Sequence, residues 1–143
     1  TAGLSSMVNS DFSWPVRIYY EDTDAGGIVY NANYLKFLER ARTEWLRQLG
    51  IEQDQLLQLG VAFVVRHIDI EFRNAARFNQ RLTVSCQVAQ QKRASLIFSQ
   101  EIADETGRTI VTAKVTIACV NITAMKPIAI PDHVSGVIAR ATS

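Results

Sequence analysis

The chain has 143 residues, 48% of them hydrophobic and 20% charged, and a formal net charge of +1. That is the size and composition of one globular domain with a real core, and so even a charge balance gives little support to nucleic-acid binding through phosphate neutralisation. No charged-then-apolar leader and no long uncharged apolar run is present, so the expectation is a cytoplasmic protein without a transmembrane segment.

Thr1 to Ser6 are small and polar and precede Met7, as an expression scar would, and the domain is expected over residues 16–131, between an N-terminal extension (1–15) and a C-terminal tail (132–143). Val16, Ile18 and Tyr20 alternate with Arg17, Tyr19 and Glu21, which predicts a strand with one buried face. The chain then turns at Ala25-Gly26-Gly27. From Asn33 to Leu49, Tyr34, Phe37, Leu38, Ala41, Trp45 and Leu49 recur at helical spacing, with Glu39, Arg40, Arg42, Glu44 and Arg47 assigned to the solvated side. Gly50 is placed to cap this helix, and Glu52 to Leu59 reads as a short second one ended by Gly60.

Beyond Gly60 the period changes to two. Ala62, Val64, Ile68, Ile70 and Phe72 are expected on one face of a strand, and Leu82, Val84, Cys86 and Val88 on one face of the next. Leu96, Phe98 and Ile102 mark another strand, Asp104-Glu105-Thr106-Gly107 a turn, and Val111 to Cys119 a long last strand. None of the three prolines falls within a predicted strand interior, and Pro127 and Pro131 place the C-terminal segment outside the sheet. One long helix against an antiparallel sheet is an α+β layer architecture. Apolar residues on the second face (Phe63, Val65, Ile97, Ala118) and unpaired sheet edges predict homo-oligomerisation by edge-to-edge joining.

The segment from Tyr20 to Asn31 holds the candidate residues for chemistry. It sets a carboxylate, Asp22 or Asp24, beside two glycines and a helix start, where orphan N–H donors and the positive end of the helix dipole collect. A carboxylate held there stays ionised and suits general-base or nucleophilic work, while an aspartate before glycines is equally an ordinary turn or cap residue. Asn31 offers its backbone N–H or its amide to a developing oxyanion, or serves as an N-cap. Tyr20 either orients the carboxylate or belongs to the core. Lys92 and Arg93, beside Ser95, form the best local basic cluster for a phosphate-bearing ligand, or a solvated hairpin tip. Cys86 and Cys119 read as buried, inert thiols, His67 as structural, and no Cys/His spacing suits a metal. Dinucleotide, Walker A, serine-hydrolase and zinc-protease signatures are absent.

Tyr19 to Gly50 (YYEDTDAGGIVYNANYLKFLERARTEWLRQLG), Ala62 to Val84 and the MKPIAIP ending at Met125 to Pro131 together resemble the hotdog-fold acyl-CoA thioesterases of the 4-hydroxybenzoyl-CoA thioesterase-like group, of the YbgC type associated with the Tol–Pal gene cluster. The resemblance implies a hotdog fold, a curved antiparallel sheet wrapped around one long central helix, forming homodimers or homotetramers with sites at the dimer interface. It implies hydrolysis of acyl-CoA thioesters with no metal or redox cofactor and coenzyme A as part of the substrate; acyl carrier protein thioesters are a further candidate substrate that analogy of fold does not select. By position, Asp24 matches the family's essential carboxylate, Tyr20 a tyrosine near it, and Asn31 the helix-start residue whose N–H polarises the thioester carbonyl. Lys92 and Arg93 match a basic region that meets the phosphates of coenzyme A, and Val64 and Val65 fall on the strand lining the substrate channel. Asn31 stands where many members carry histidine, and Asn79 and Gln80 where relatives often carry acidic residues. A hotdog hydratase or dehydratase, and an acyl-thioester-binding or Tol–Pal-associated interaction module, are the alternatives.

Overall fold

The computed structural model describes residues 12–24 and 26–142, so the proposed scar and most of the predicted N-terminal extension lie outside the described residues. Strand β1 (Ser13–Arg17) is followed by a 3₁₀ turn (Tyr20–Asp22), helix α1 (Asn31–Gln48) and short helix α2 (Gln53–Gln58). Then come β2 (Val61–Phe72), β3 (Arg81–Ser85), β4 (Gln87–Gln91), β5 (Ser95–Ala103), β6 (Thr109–Asn121), β7 (Lys126–Pro127) and helix α3 (Asp132–Thr142). The antiparallel sheet runs β1-β3-β5-β6-β2, with β4 continuing the line of β3 along β5 and β7 added to β6.

The sheet wraps α1. Tyr34, Phe37, Leu38, Ala41 and Trp45 enter one core with Leu82, Val84, Phe98, Ile102, Val111 and Val115, and Trp45 meets Phe98 edge to face at 5.7 Å. Truncating a fully buried ring such as Phe37 to alanine typically costs about 3–5 kcal/mol, so this stripe holds helix and sheet together. At the end of α1, Gly50 takes φ +85°, its N–H donates to the Arg47 carbonyl at 2.9 Å, and the Ile51 N–H donates to Leu46 at 2.9 Å. This paired closure satisfies two orphan carbonyls and buries Ile51 beneath the helix end.

Five expectations change. The first strand ends at Arg17, because the Asp22 carboxylate takes the Tyr19 N–H (2.9 Å) and winds the chain into a turn; Tyr20 is therefore 76% exposed instead of facing the core. In β2, the register slips between Val65 and His67, leaving Arg66 as a bulge that reverses the alternation. Ala62 and Val64 consequently cluster with Ala118 and Val120 on the outer face, while Phe63 joins Ile68 and Ile70 on the core side. Arg42, assigned to the solvated side of the helix, is buried. Pro15 sits inside β1 and Pro127 in β7, and both are tolerated because those strands lie at sheet margins. Finally, residues 132–142 form a helix whose Val134 and Ile138 enter the core, and Phe12 and Trp14 pack against it, so the domain extends beyond 16–131 at both ends.

The β5–β6 turn forms where expected. The Asp104 carboxylate accepts from the Thr106 hydroxyl (2.7 Å), the Thr106 N–H (3.0 Å) and the Arg108 N–H (3.0 Å), and these bonds, the hydroxyl's foremost, hold its pKa below the usual carboxylate range. A depressed folded-state pKa stabilises above the unfolded value and is lost as pH falls through the folded one. Asp104→Ala is therefore expected to melt below wild type at neutral pH, with the gap closing below about pH 4 in melts across a pH series.

Candidate active site

Asp24 lies in a loop between the 3₁₀ turn and α1, and backbone bonds shape that loop. The Asp24 N–H donates to the Ile28 carbonyl at 2.9 Å and the Gly27 N–H to the Asp24 carbonyl at 3.1 Å, with Gly27 at φ +72° making the reversal. The Asp24 side chain is exposed, and its Oδ1 accepts the Gly26 N–H at 2.9 Å. Its other oxygen has no hydrogen bond among the described residues. Asp22 has a structural role: Oδ2 accepts from Tyr19, Oδ1 accepts the Asn33 amide at 2.8 Å, and its carbonyl accepts the Tyr30 N–H at 3.1 Å. It thereby ties the turn to the first turn of α1.

Asn31 is the first residue of α1, exposed, and preceded by Tyr30 at φ −66°, ψ 135°. The Asn33 N–H is used by the Tyr30 carbonyl at 2.8 Å, whereas the first amides of a helix have no acceptor within it. The loop of residues 73–80 fixes this assembly from below. Val29 N–H donates to Ala76 (2.9 Å), Phe78 N–H to Gly27 (3.0 Å), and Ala76 N–H to the buried Tyr34 hydroxyl (3.0 Å), a phenol whose pKa burial raises. The Tyr20 ring packs edge-on against Phe78 at 5.9 Å. The sequence places Tyr34 on the apolar stripe of the helix but assigns no function to its hydroxyl or to this loop. A tyrosine one turn into the helix on its buried face was the available signal, since a buried hydroxyl requires a partner.

A groove of about 410 Å³ opens between α1 and β2. Leu35, Leu46, Phe63, Val65, Phe98 and Ile117 wall it, with Lys36, Glu39, Arg42, Thr43 and Gln53 as its polar members. Val65 borders it, 48% exposed at the free edge of β2, while Val64 points to the outer face. A larger hollow of about 710 Å³ lies along the strands where Asp69, Glu71 and Lys114 point outward, and includes none of the Asp24 loop.

Lys92 and Arg93 sit exposed at the tip of the β4–β5 hairpin, closed by the Lys92 N–H on the Ser95 carbonyl at 2.8 Å, with Ser95 itself buried. That tip begins β5, and the Asp24 loop adjoins the other end of the sheet through bonds of Gly27 and Val29 to residues 76–78, just before β3. Nine residues of strand separate them by roughly 25–30 Å. Within one chain Asp24, Asn31 and Tyr20 thus lie at one end of the sheet, and Lys92, Arg93 and Ser95 at the other. Both cysteines are buried, and burial pushes the Cys86 thiol up to about 12. Among the described residues no group of three His, Cys, Asp or Glu is placed to hold a metal, and no helix is long and apolar enough to cross a membrane.

Residues 19–138 match the model of the thioesterase-like superfamily. The acyl-CoA thioesterase YbgC of Haemophilus influenzae is 46% identical over 129 residues, covering 90% of this chain and 94% of that protein. Among solved structures, a probable thioesterase from Bartonella henselae shares 37% identity with a TM-score of 0.77, covering 83% of this chain and 98% of that one. The 1,4-dihydroxy-2-naphthoyl-CoA thioesterase Slr0204 of Synechocystis superposes with a TM-score of 0.83 at 23% identity, covering 90% and 95%, a likeness of fold.

Proposed function

The chain belongs to the thioesterase-like superfamily, and we propose that it hydrolyses acyl-CoA thioesters to the free acid and coenzyme A in the cytoplasm. The observation that carries this is the exposed carboxylate of Asp24 in a loop leading into the first amides of α1. A thioester carbonyl seated over Asn31 has its oxygen polarised by the helix amides, where negative charge develops in the tetrahedral intermediate. Asp24 then either takes a proton from a water that attacks the carbonyl carbon, or attacks it directly to give a mixed anhydride that water opens. In both routes the C–S bond breaks, the thiolate leaves and is protonated, and water supplies the new oxygen of the acid, so no metal or redox cofactor is required.

The working unit in this proposal is a homodimer or a homotetramer built from it. β2 is a long strand at the sheet edge with one side unpaired, the kind of edge that accepts a second copy. Antiparallel β2-to-β2 pairing about a twofold axis sets the hairpin end of one protomer beside the Asp24 end of the other. Lys92 and Arg93 would then face the phosphates of a coenzyme A whose thioester sits at the other subunit's Asp24.

The test is thiol release from a panel of acyl-CoAs of graded length, run alongside an enoyl-CoA assayed for hydrated product. The expected outcome is free coenzyme A with no hydration. A hydrated product without thiol release overturns the hydrolase reading in favour of a hydratase, and tight binding with neither reaction in favour of a binding module.

A further inference from the structure

Asn31, Leu35, Glu39, Arg42 and Leu46 follow one another at four, four, three and four residues, which makes them one stripe along α1. Asn31 stands at the top of the stripe, and the other four line the groove. The groove therefore begins one turn below the helix-start amides, on the same face.

Within its apolar walls Arg42 is only 7% exposed. Its Nη1 donates to Gln100 Oε1 at 3.0 Å, and Gln100 Nε2 donates to the Leu38 carbonyl at 3.0 Å. No carboxylate pairs with it among the described residues; the ion pairs there join Arg47 to Glu44 and Glu52, Arg73 to Glu71, and Arg108 to Asp104. A guanidinium has five N–H donors, and a tie to Gln100 uses one. Burial lowers the Arg42 pKa, and Cys86 and then Glu39, which is exposed at the groove, partly offset this. With Lys36, the groove lining holds two cations against one carboxylate. A buried cation lacking an ion-pair partner is costly to keep, and the tie to Gln100 does not itself require a positive charge.

We infer that Arg42 is a specificity-determining residue that receives the terminal carboxylate of an ω-carboxyacyl thioester lying in this groove. The inference rests on the thioesterase reading. The bond from Gln100 to Leu38 sets the guanidinium near the level of residues 38–39, about 11 Å along the helix from Asn31, the span of an extended acyl chain of roughly eight carbons. A carboxylate arriving there meets a desolvated, forked donor and forms charge-assisted bonds, whereas a methyl terminus leaves the cation buried and unpaired.

The experiment measures thiol release from matched CoA thioesters of four to ten carbons, each length in a methyl-terminated and an ω-carboxy form, such as octanoyl-CoA and suberyl-CoA. Wild type is expected to favour the ω-carboxy form near eight carbons, by about 10- to 100-fold in kcat/KM. In Arg42→Met that ratio falls to near one or below, and Arg42→Lys, which keeps the charge but loses the fork, retains part of it. Equal or poorer cleavage of the ω-carboxy form at every length in wild type overturns the inference alone, and this comparison needs no variant to fold. An unchanged ratio in folded Arg42→Met overturns it as well. If no thioester of either kind is cleaved, the thioesterase reading fails and the inference fails with it.

Discussion

Asp24→Asn is expected to lower turnover by about 10²–10⁴, the usual contribution of a positioned general base, while the loop keeps its shape. The amide oxygen of asparagine can still accept the Gly26 N–H, and the bonds that set the loop involve the Asp24 backbone, which the substitution leaves alone. What disappears is the negative charge, which both routes need, one to take a proton from water and the other to attack carbon. Thiol release by wild type and variant, compared at matched oligomeric state and melting temperature, gives the answer. A folded Asp24→Asn enzyme with near-normal kcat would sink the assignment of Asp24.

Asn31→Pro addresses the other half of the site and is expected to cost about 10²–10³ in turnover, the usual effect of deleting one oxyanion donor. Proline at the first position of a helix removes an N–H that the helix does not use, and its φ suits that position. The residue before a proline must be extended, and Tyr30 already is, at φ −66° and ψ 135°. The substitution thus removes one amide hydrogen at little structural cost. Asn31→Ala is its control: it keeps the N–H, removes the side-chain amide, and is expected to retain most activity. Should Asn31→Ala fall as far as Asn31→Pro, the side chain is the donor, and should neither fall, the oxyanion is stabilised elsewhere. Circular dichroism and melting temperature confirm that α1 survives in each.

Elements with strong periodicity could be read in the chain alone. The core stripe of α1 and its Gly50 terminus follow from spacing and from the left-handed conformation that glycine tolerates, and both are where the periodicity puts them. The faces of β2 could not be read this way, because a bulge at Arg66 leaves no compositional mark and reverses the parity of every position after it. Tyr20 was misplaced for a related reason: alternation persists in the letters through Glu21, but the Asp22 carboxylate competes for the backbone and wins. Arg42 is the sharpest difference. Hydropathy assigns an arginine to solvent, and only the reach of Gln100 from a strand 58 residues away shows it held inside. The sequence does bring Tyr20, Asp24 and Asn31 to one locality, being short-range; which strand end the basic hairpin occupies is a property of topology, which no local pattern encodes.

The loop carrying Asp24 is fastened to the loop of residues 73–80 by main-chain groups: Val29 to Ala76, Phe78 to Gly27. Peptide bonds are common to all residues but proline on the donor side, so this fastening does not depend on which side chains the loop displays. Position and reactivity can therefore drift separately. A lineage of such proteins could exchange the side chains at positions 24 and 31, or the residues along the groove, without re-solving how to hold them, which is one physical route by which a single scaffold comes to serve many reactions.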